Sequence, residues 1–275
     1  MPPRNPMSTR PLILLTNDDG IASPGLQAAV RAVLGLGELL VVAPSTQQTA
    51  MGRSFRGRRD AQLEPIVFEV DGHPVRAFHA EGTPATVVRH GLQVLCQERL
   101  PDLLISGINY GENVGSSITA SGTVGAALEA ASMGIPALAA AREVHPDHFM
   151  EHGEQDWSAA EHFLRLFAVK LLGASLPFDV DLLKIDVPED ATVDTPWRLS
   201  RLSRQPYFQM VLETPCLTSR IGDGRIVVAI DHARLEADSD IHALAVDRVV
   251  AVTPLSLDAT SRADFEAIQR ALMGG

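Results

Sequence analysis

The sequence predicts an α/β fold: a doubly wound, mostly parallel sheet followed by a β-hairpin extension. Through the first 200 residues, short apolar segments typical of buried strands alternate with segments whose apolar residues recur at helical spacing. After Ser200 this alternation stops, and a glycine-rich turn is followed by β-branched residues. With 275 residues, 45% of them hydrophobic, the chain is long enough to bury a complete α/β core.

The composition disfavours several classes of protein. The formal net charge is −11, whereas a surface that binds nucleic-acid duplexes is usually basic. No apolar run approaches the roughly 18–20 residues that span a bilayer, which predicts a soluble protein. The apolar stretch Leu12–Leu15 is too short for a signal peptide, and residues 1–10 are interpreted as a loose tail. Cys96 and Cys216 lie outside any CxxC pair, so we expect no zinc site, no disulfide scaffold and a cytoplasmic location.

The first elements form a β-α-β unit. Leu12–Thr16 is typical of a buried strand, and Ser23 followed by Pro24 is an N-cap with proline at the first helical position. Apolar residues at helical spacing follow, and Glu38–Ala43 is the next predicted strand. A strand, helix and strand in this order predict a parallel pair.

A hairpin and further alternating elements complete the predicted core, residues 11–200. Asp71-Gly72 is a strong turn signal between the strands Ile66–Val70 and Pro74–His79. The later elements are a helix from Thr83 through Val94, a strand Leu103–Ile108, a helix Thr123–Met133, a strand Pro136–Ala140, a helix Ala159–Leu172 and a strand Leu182–Val187.

The C-terminal part is predicted to differ in structure from the core. Residues 201–246 lack clear helices and contain a turn at 222–224 before the β-branched run Ile226–Ile230, which predicts a β-hairpin extension. Residues 247–275 are expected to hold a returning strand, Arg248–Thr253, and a final helix, Ser261–Leu272. Such a hairpin is either an oligomer contact or a solvent-exposed flap.

Three polar segments follow predicted strands and suggest a cation site. They are residues 17–20, 45–49 and 106–113, and in open α/β sheets ligands bind beyond the carboxyl ends of the strands. Asp18 and Asp19, an amide oxygen from Asn109 and a hydroxyl from Thr49 or Ser45 make an all-oxygen ligand set that suits Mg²⁺ or Mn²⁺. The alternative is that one of the two acids merely caps the following helix.

A second segment is typical of an anion site. Asn109 and Asn113 lie in a glycine-spaced loop, and Ser121-Gly122-Thr123 begins a helix of small residues. Backbone N–H groups at a helix start, with hydroxyl groups beside them, bind phosphate without a lysine. An ordinary serine N-cap is the alternative. Together, the cation and anion sites predict phosphate chemistry.

The segments that carry these residues resemble a known family in order and spacing. They are ILLTNDDGI, VVAPSTQQTAMGRS, EGTPATVV, PDLLISGINYGENVG, SGTVGAALEA and LLKIDVP. From about Leu12 to Pro254 the sequence resembles the SurE family, the survival-protein-E nucleotidases. The resemblance implies a cytoplasmic phosphatase with one divalent metal ion, Mg²⁺ or Mn²⁺, per subunit. It also implies activity on nucleoside 5′- and 3′-monophosphates, and in some members on short polyphosphate. The implied architecture is a Rossmann-like core whose C-terminal hairpin is exchanged between subunits of a dimer or tetramer.

The resemblance also implies roles for individual residues. The implied metal ligands are Asp18, Asp19, Thr49 and Asn109; the implied substrate-binding residues are Asn109, Asn113, Ser121, Gly122 and Thr123; the implied catalytic residues are Asp18, Asp19 and Asn113. The sequence departs from the family at Thr49, usually serine, at Ser45, often aspartate, and at Ala120, often aromatic.

Other interpretations remain open from sequence. A phospho-acceptor signalling module also places an acidic pair after its first strand, but it needs a further Asp and a Lys at later strand ends, and the corresponding position here is Asn109. A haloacid-dehalogenase-type phosphatase spaces its acids as Asp-x-Asp, whereas Asp18 and Asp19 are adjacent. The arginines at 53, 56, 58 and 59 are interpreted as a solvated loop and Lys184 as structural, and no role is assigned to Asp238 or Asp240.

Overall fold

A nine-stranded sheet forms the centre of the computed structural model, which describes residues 10–145 and 153–274. The strands of that part are β1 (Leu12–Thr16), β2 (Glu38–Pro44), β3 (Glu64–Val70), β4 (His73–Ala80), β5 (Leu103–Tyr110), β6 (Ala137–Arg142), β7 (Leu182–Val187), β8 (Trp197–Leu199), β9 (Phe208–Val211), β10 (Arg225–Val228) and β11 (Val250–Leu255). The α-helices of that part are α1 (Pro24–Val33), α2 (Pro84–Leu95), α3 (Gly122–Ser132), α4 (Ser158–Gly173) and α5 (Phe265–Met273).

The sheet is mostly parallel, as the sequence predicts. Its strand order is β3-β4-β2-β1-β5-β6-β7-β11-β8, so β1 lies in the interior between β2 and β5. The antiparallel pairs within it are β3–β4 and β7–β11. Strands β9 and β10 form a separate antiparallel pair, which is the predicted hairpin. The predicted fold class is therefore confirmed.

Helices cover both faces of the sheet because its central strands are apolar on both sides. Helices α1 and α4 pack with Ile13 and Leu15 on one face, and α2 and α3 pack with Leu14 and Leu104 on the other. Each of these four strand side chains is fully buried. Burial on two faces is the physical reason for the uninterrupted apolar runs in the sequence.

Local signals fold as predicted. The Ser23 hydroxyl accepts a hydrogen bond from Gly25 N at 3.2 Å and caps α1, with Pro24 at its first position. Asp71 and Gly72 connect β3 to β4 with φ angles of +50° and +78°. Positive φ at both central residues is the requirement of a type I′ hairpin turn.

The C-terminal part differs from the sequence-based expectation in detail. Residues 212–224 form a long connection between β9 and β10, in which Ile221–Asp223 is a 3₁₀ turn, so the glycine turn is only one end of it. The extension also contains a π-helical turn, His242–Val246, and α5 begins at Phe265, four residues later than expected. Strand β8 was not expected. It is only three residues long and lies at the sheet edge with Trp197 and Leu199 exposed, so it carries no buried-strand pattern.

Two further expectations concern the whole chain. Residues 1–9 of the predicted loose tail lie outside the described residues. Among the residues that are described, none of the helices combines the length and the apolar character needed to cross a membrane.

Candidate active site

The acidic turn after β1 and the loop after β5 meet at one edge of the sheet. Thr16 and Ser106 are paired in the β1–β5 register, so the residues that follow them leave the sheet side by side. The Asp19 carboxylate accepts a hydrogen bond from Tyr110 N at 3.2 Å, across 91 positions of the sequence. The loop after β2 joins them, because Gln48 N donates to Asp18 O at 2.6 Å. Three segments distant in sequence therefore form one site.

The start of α3 packs directly on Asp18. Thr123 Oγ1 donates to Asp18 Oδ1 at 2.5 Å, and the backbone N–H groups of Gly122 and Thr123 also hydrogen-bond this carboxylate. A Cβ on Gly122 would lie 2.7 Å from Asp18 Cβ, so any other residue here would displace the Asp18 side chain. Ser121 caps the helix by accepting from Val124 N at 3.1 Å. The residues expected to bind phosphate thus adjoin those expected to bind metal.

The two carboxylates are buried, and their ionisation is unfavourable. Asp18 and Asp19 are each 6% exposed. Burial raises the pKa of Asp18 to about 6, although the hydrogen bonds from Thr123 and Gly122 favour its charged form. Burial, and then the charge of Asp18, raise the pKa of Asp19 to about 8. A cation bound between them would offset this cost.

The remaining expected ligands differ in exposure, and Asn109 and Thr49 are sequence neighbours of Tyr110 and Gln48, which contact the acidic turn. The Asn109 NH₂ group donates to Gly111 O at 2.6 Å, which leaves its oxygen as the acceptor that a metal would use. Thr49 is exposed and directly follows Gln48, the residue that contacts the acidic turn. Ser45 is half-buried, and its hydroxyl hydrogen-bonds His79 Nδ1 at 2.8 Å. Of the two candidate hydroxyl ligands, Ser45 is therefore the one that is hydrogen-bonded to a histidine.

Asn113 is held through its backbone. Its N–H donates to Asp186 Oδ1 at 2.7 Å, and its side chain is half-buried. This contact fixes the main chain at Asn113, and the side chain takes no part in it.

Comparison with known proteins identifies the family. The model of the family Survival protein SurE matches residues 13–209. The 5′-nucleotidase SurE of Thermococcus gammatolerans is 40% identical over 272 residues, which cover 95% of this chain and 96% of that protein. The chain belongs to the SurE family. The 5′-nucleotidase SurE of Methanocella arvoryzae is also 40% identical, over 94% of this chain and 96% of that protein.

A solved structure of the SurE family has the same fold. The crystal structure of the SurE protein from Aquifex aeolicus superimposes with a TM-score of 0.71 at 27% identity. The alignment covers 96% of this chain and all of that chain, so it extends through the C-terminal extension as well as the core.

The oxygen atoms at this site of the SurE chain are suitable ligands for a hard divalent cation. Asn17 directly precedes the two aspartates in sequence, and its buried Oδ1 has no hydrogen-bond partner, so the acidic turn holds an acceptor oxygen that is not used. Within residues 10–145 and 153–274, no three His, Cys, Asp or Glu side chains are grouped to hold a metal. A site here would therefore combine two carboxylates with neutral oxygens and water. That combination suits Mg²⁺ or Mn²⁺ better than zinc.

Two contacts of the site were not apparent from sequence. Gln47 Nε2 approaches Asp19 Oδ1 at 3.4 Å, although nothing in its sequence context distinguishes it from Gln48. Arg53 is paired with the fully buried Glu129 of α3 at 2.9 Å. Arg53 therefore ties its loop to α3 beside the site, which is a more definite structural role than that of a solvated loop residue.

Proposed function

We propose that the chain is a divalent-metal-dependent 5′-nucleotidase that hydrolyses nucleoside 5′-monophosphates to nucleoside and phosphate. The observation that carries this proposal is the buried Asp18–Asp19 pair packed against the N-terminus of α3. The relatives named 5′-nucleotidase SurE support the same activity. We extend the proposal to nucleoside 3′-monophosphates and short polyphosphate, which present the same terminal phosphoryl group.

The proposed roles follow from position. Asp18, Asp19, Asn109 and Thr49 would hold the cation. When bound, the cation supplies positive charge to a phosphoryl oxygen and lowers the pKa of water. Asn113 and the start of α3, residues 121–123, would bind the phosphate oxygens through amide and hydroxyl groups.

The attacking group is either a water molecule oriented by Asp18 or Asp19, or one of these carboxylates. The configuration at phosphorus distinguishes the two routes in a single turnover of a substrate made chiral at phosphorus with oxygen isotopes. One direct displacement by water inverts this configuration, whereas an aspartyl-phosphate that is then hydrolysed by attack of water on phosphorus retains it.

One assay tests the proposed activity. Phosphate release is measured with a panel of nucleoside monophosphates, after treatment with EDTA and after Mn²⁺ or Mg²⁺ is restored. We expect EDTA to abolish release and the metal to restore it. Asp19→Asn should reduce release by about 100-fold or more because it removes a ligand charge.

Asp71→Asn is the matched control for Asp19→Asn. Asp71 lies at an exposed turn where Asn-Gly is equally suitable. The activity of the Asp71→Asn variant should therefore equal that of the wild-type protein. Near wild-type turnover in a folded Asp19→Asn protein would count against the proposal.

A phospho-acceptor signalling module is disfavoured by the environment of Lys184. Such a module needs a lysine that reaches the acidic pair, and Lys184 is fully buried against Asp186 and Asp240. Incubation with a small phosphodonor tests this alternative, because stable protein-bound phosphate would favour signalling and free phosphate would favour the enzyme.

We further propose a homo-oligomer, dimer or tetramer, in which the β9–β10 hairpin contacts a second copy. Apolar side chains on the hairpin support this, since Met210 and Ile226 are 63% and 52% exposed. We propose neither a nucleic-acid duplex nor a membrane as a partner. A cytoplasmic location stays a prediction.

A further inference from the structure

A buried ion cluster lies behind Asn113. Lys184 Nζ contacts Asp186 Oδ2 and lies 3.2 Å from Asp240 Oδ2. None of the three side chains is more than 1% exposed. Burial alone would lower the pKa of Lys184, and the two adjacent carboxylates raise it above its ordinary value, so the lysine stays charged.

The carboxylates of this Lys184–Asp186–Asp240 cluster bind the backbone of residues 109–116, the loop that carries Asn113, which is here named the substrate loop. Asp186 Oδ1 accepts from Asn113 N at 2.7 Å, and Asp240 Oδ2 accepts from Gly115 N at 3.1 Å. The loop that presents the Asn113 side chain is therefore held at two N–H groups by buried charges. Hydrogen bonds to charged groups are stronger than those between neutral groups.

The same cluster binds the C-terminal extension. Asp240 Oδ1 accepts from Ser203 N and from Ile241 N, both at 2.9 Å. A Cβ on Gly115 would lie 2.5 Å from Gln205 O, so the loop and the extension are in direct contact. The substrate loop consequently contacts both β7, through Asp186, and the C-terminal extension, through Gln205 and Asp240.

Stability alone does not account for such a cluster. Three buried charges pay a large desolvation penalty, and apolar replacements of similar volume are often as stable. Unlike apolar side chains, the buried charges also fix the groups that are hydrogen-bonded to them in one arrangement. We propose that Lys184, Asp186 and Asp240 are positioning residues that hold Asn113 for phosphate binding, and that the extension is thereby part of the substrate site. This inference rests on the proposed nucleotidase function.

A double-mutant cycle tests whether the cluster acts through Asn113. The variants are Asp186→Asn, Asn113→Ala and the double variant, assayed for kcat/KM with a nucleoside 5′-monophosphate. We expect Asp186→Asn to lower kcat/KM about tenfold in the wild-type background and less than about threefold in the Asn113→Ala background. An equal loss in both backgrounds, or no loss in the wild-type background, would overturn the inference.

Two further variants supply a second route and a control. Asp240→Asn retains one side-chain oxygen that can accept the hydrogen bonds from Ser203 N and Ile241 N. It replaces Asp186→Asn in the cycle if Asp186→Asn does not fold. Asp238→Asn is the matched control, because Asp238 pairs with Arg201 at 3.1 Å in the same segment but is 65% exposed. We expect the control to leave kcat/KM unchanged.

Hydrogen exchange separates this inference from the proposed function. Amides of residues 109–116 should exchange faster in Asp186→Asn and Asp240→Asn, and at the wild-type rate in Asp238→Asn. Unchanged exchange in the first two variants would overturn the positioning role. If the wild-type protein hydrolysed no phosphomonoester, the proposed function would fail, while the exchange measurement would still decide whether the cluster holds the loop.

Discussion

At the scale of single residues, the candidate site depends on contacts that leave no room for a side chain. Gly122 touches Asp18 so closely that a methyl group would overlap the carboxylate. Gly20, on the other side of the acidic turn, has a φ of +94°. A Cβ added to Gly20 would lie 3.0 Å from the backbone carbonyl carbon of Thr46. The two glycines let the acidic turn lie between α3 and the loop after β2.

Substitution of Gly122 should impair metal binding more than folding. In Gly122→Ala, the methyl group would displace the Asp18 carboxylate, whereas alanine is favourable in a helix. We expect affinity for Mn²⁺, measured by titration calorimetry, to fall about 10- to 100-fold, as it does when groups that orient a ligand are lost.

The control for this prediction is Gly222→Ala. Gly222 lies in the extension, and an added Cβ would meet no atom within 4 Å. Its affinity for Mn²⁺ should match that of the wild-type protein. Equal affinity in Gly122→Ala would show that Asp18 does not hold the metal in the proposed way.

At the scale of elements, the β9–β10 hairpin combines a buried base with an exposed apolar tip. Tyr207, next to β9, packs with Val114, Ile241 and Leu244 in a small separate core. The β9–β10 pair extends from this base as a two-stranded sheet. Isolated two-stranded hairpins are only marginally stable in water. The exposed apolar side chains of the strands are the surface at which the proposed oligomer would bury the hairpin.

Charged residues on the hairpin should dissociate the proposed oligomer. We expect Ile226→Glu combined with Val228→Glu to lower the molar mass measured by light scattering to that of one chain, because two charges would be buried at the contact. Val67→Glu is the control, since Val67 is exposed on β3, an edge strand of the nine-stranded sheet to which the hairpin does not belong. A mass that is unchanged by the hairpin variant would locate the contact elsewhere.

The elements that the sequence predicted are those with strong local signals. The cap at Ser23 and the turn at Asp71 depend on neighbouring residues, and the apolar core strands depend on their own composition. Strand β8 and the 3₁₀ helix Gly115–Ala120 have no such signal, because partners far along the chain determine them.

The same distinction applies to the site. The convergence of the loops follows from parallel-sheet topology and was predictable. The joining of Lys184 to Asp240 was not, because 56 positions separate them and the intervening extension has no regular pattern that would place it. Only the structure shows that Asp240 accepts a hydrogen bond from Gly115 N, two residues after Asn113.

At the scale of the whole molecule, buried acids should make stability depend on pH. Burial raises the pKa of Glu112 from 4.5 to about 8, and Glu143 and Asp186 add to the effect. Between these values the folded protein retains a proton that the unfolded chain has released, so stability falls as pH rises through this range. The Tyr207 side chain hydrogen-bonds the Glu112 side chain.

Glu112→Gln should reduce that pH dependence. With metal removed by EDTA, urea denaturation between pH 5 and pH 8 should show a shallower loss of stability than in the wild-type protein. The difference for one proton is at most about 1.4 kcal/mol per pH unit. Glu266→Gln, on the exposed face of α5, is the control and should keep the wild-type slope. Identical slopes in wild type and Glu112→Gln would mean that Glu112 ionises normally.

The interior position of β1 also determines when the candidate site is assembled. Strands β1 to β4 can pair within the first 80 residues, but the acidic turn has no counterpart until β5 docks on β1 and the start of α3 follows. Closing so long a segment of chain is slow compared with forming a helix. During synthesis on the ribosome, the site therefore arises only after more than a third of the polypeptide has emerged, and recovery of activity after denaturation reports on late, long-range folding steps.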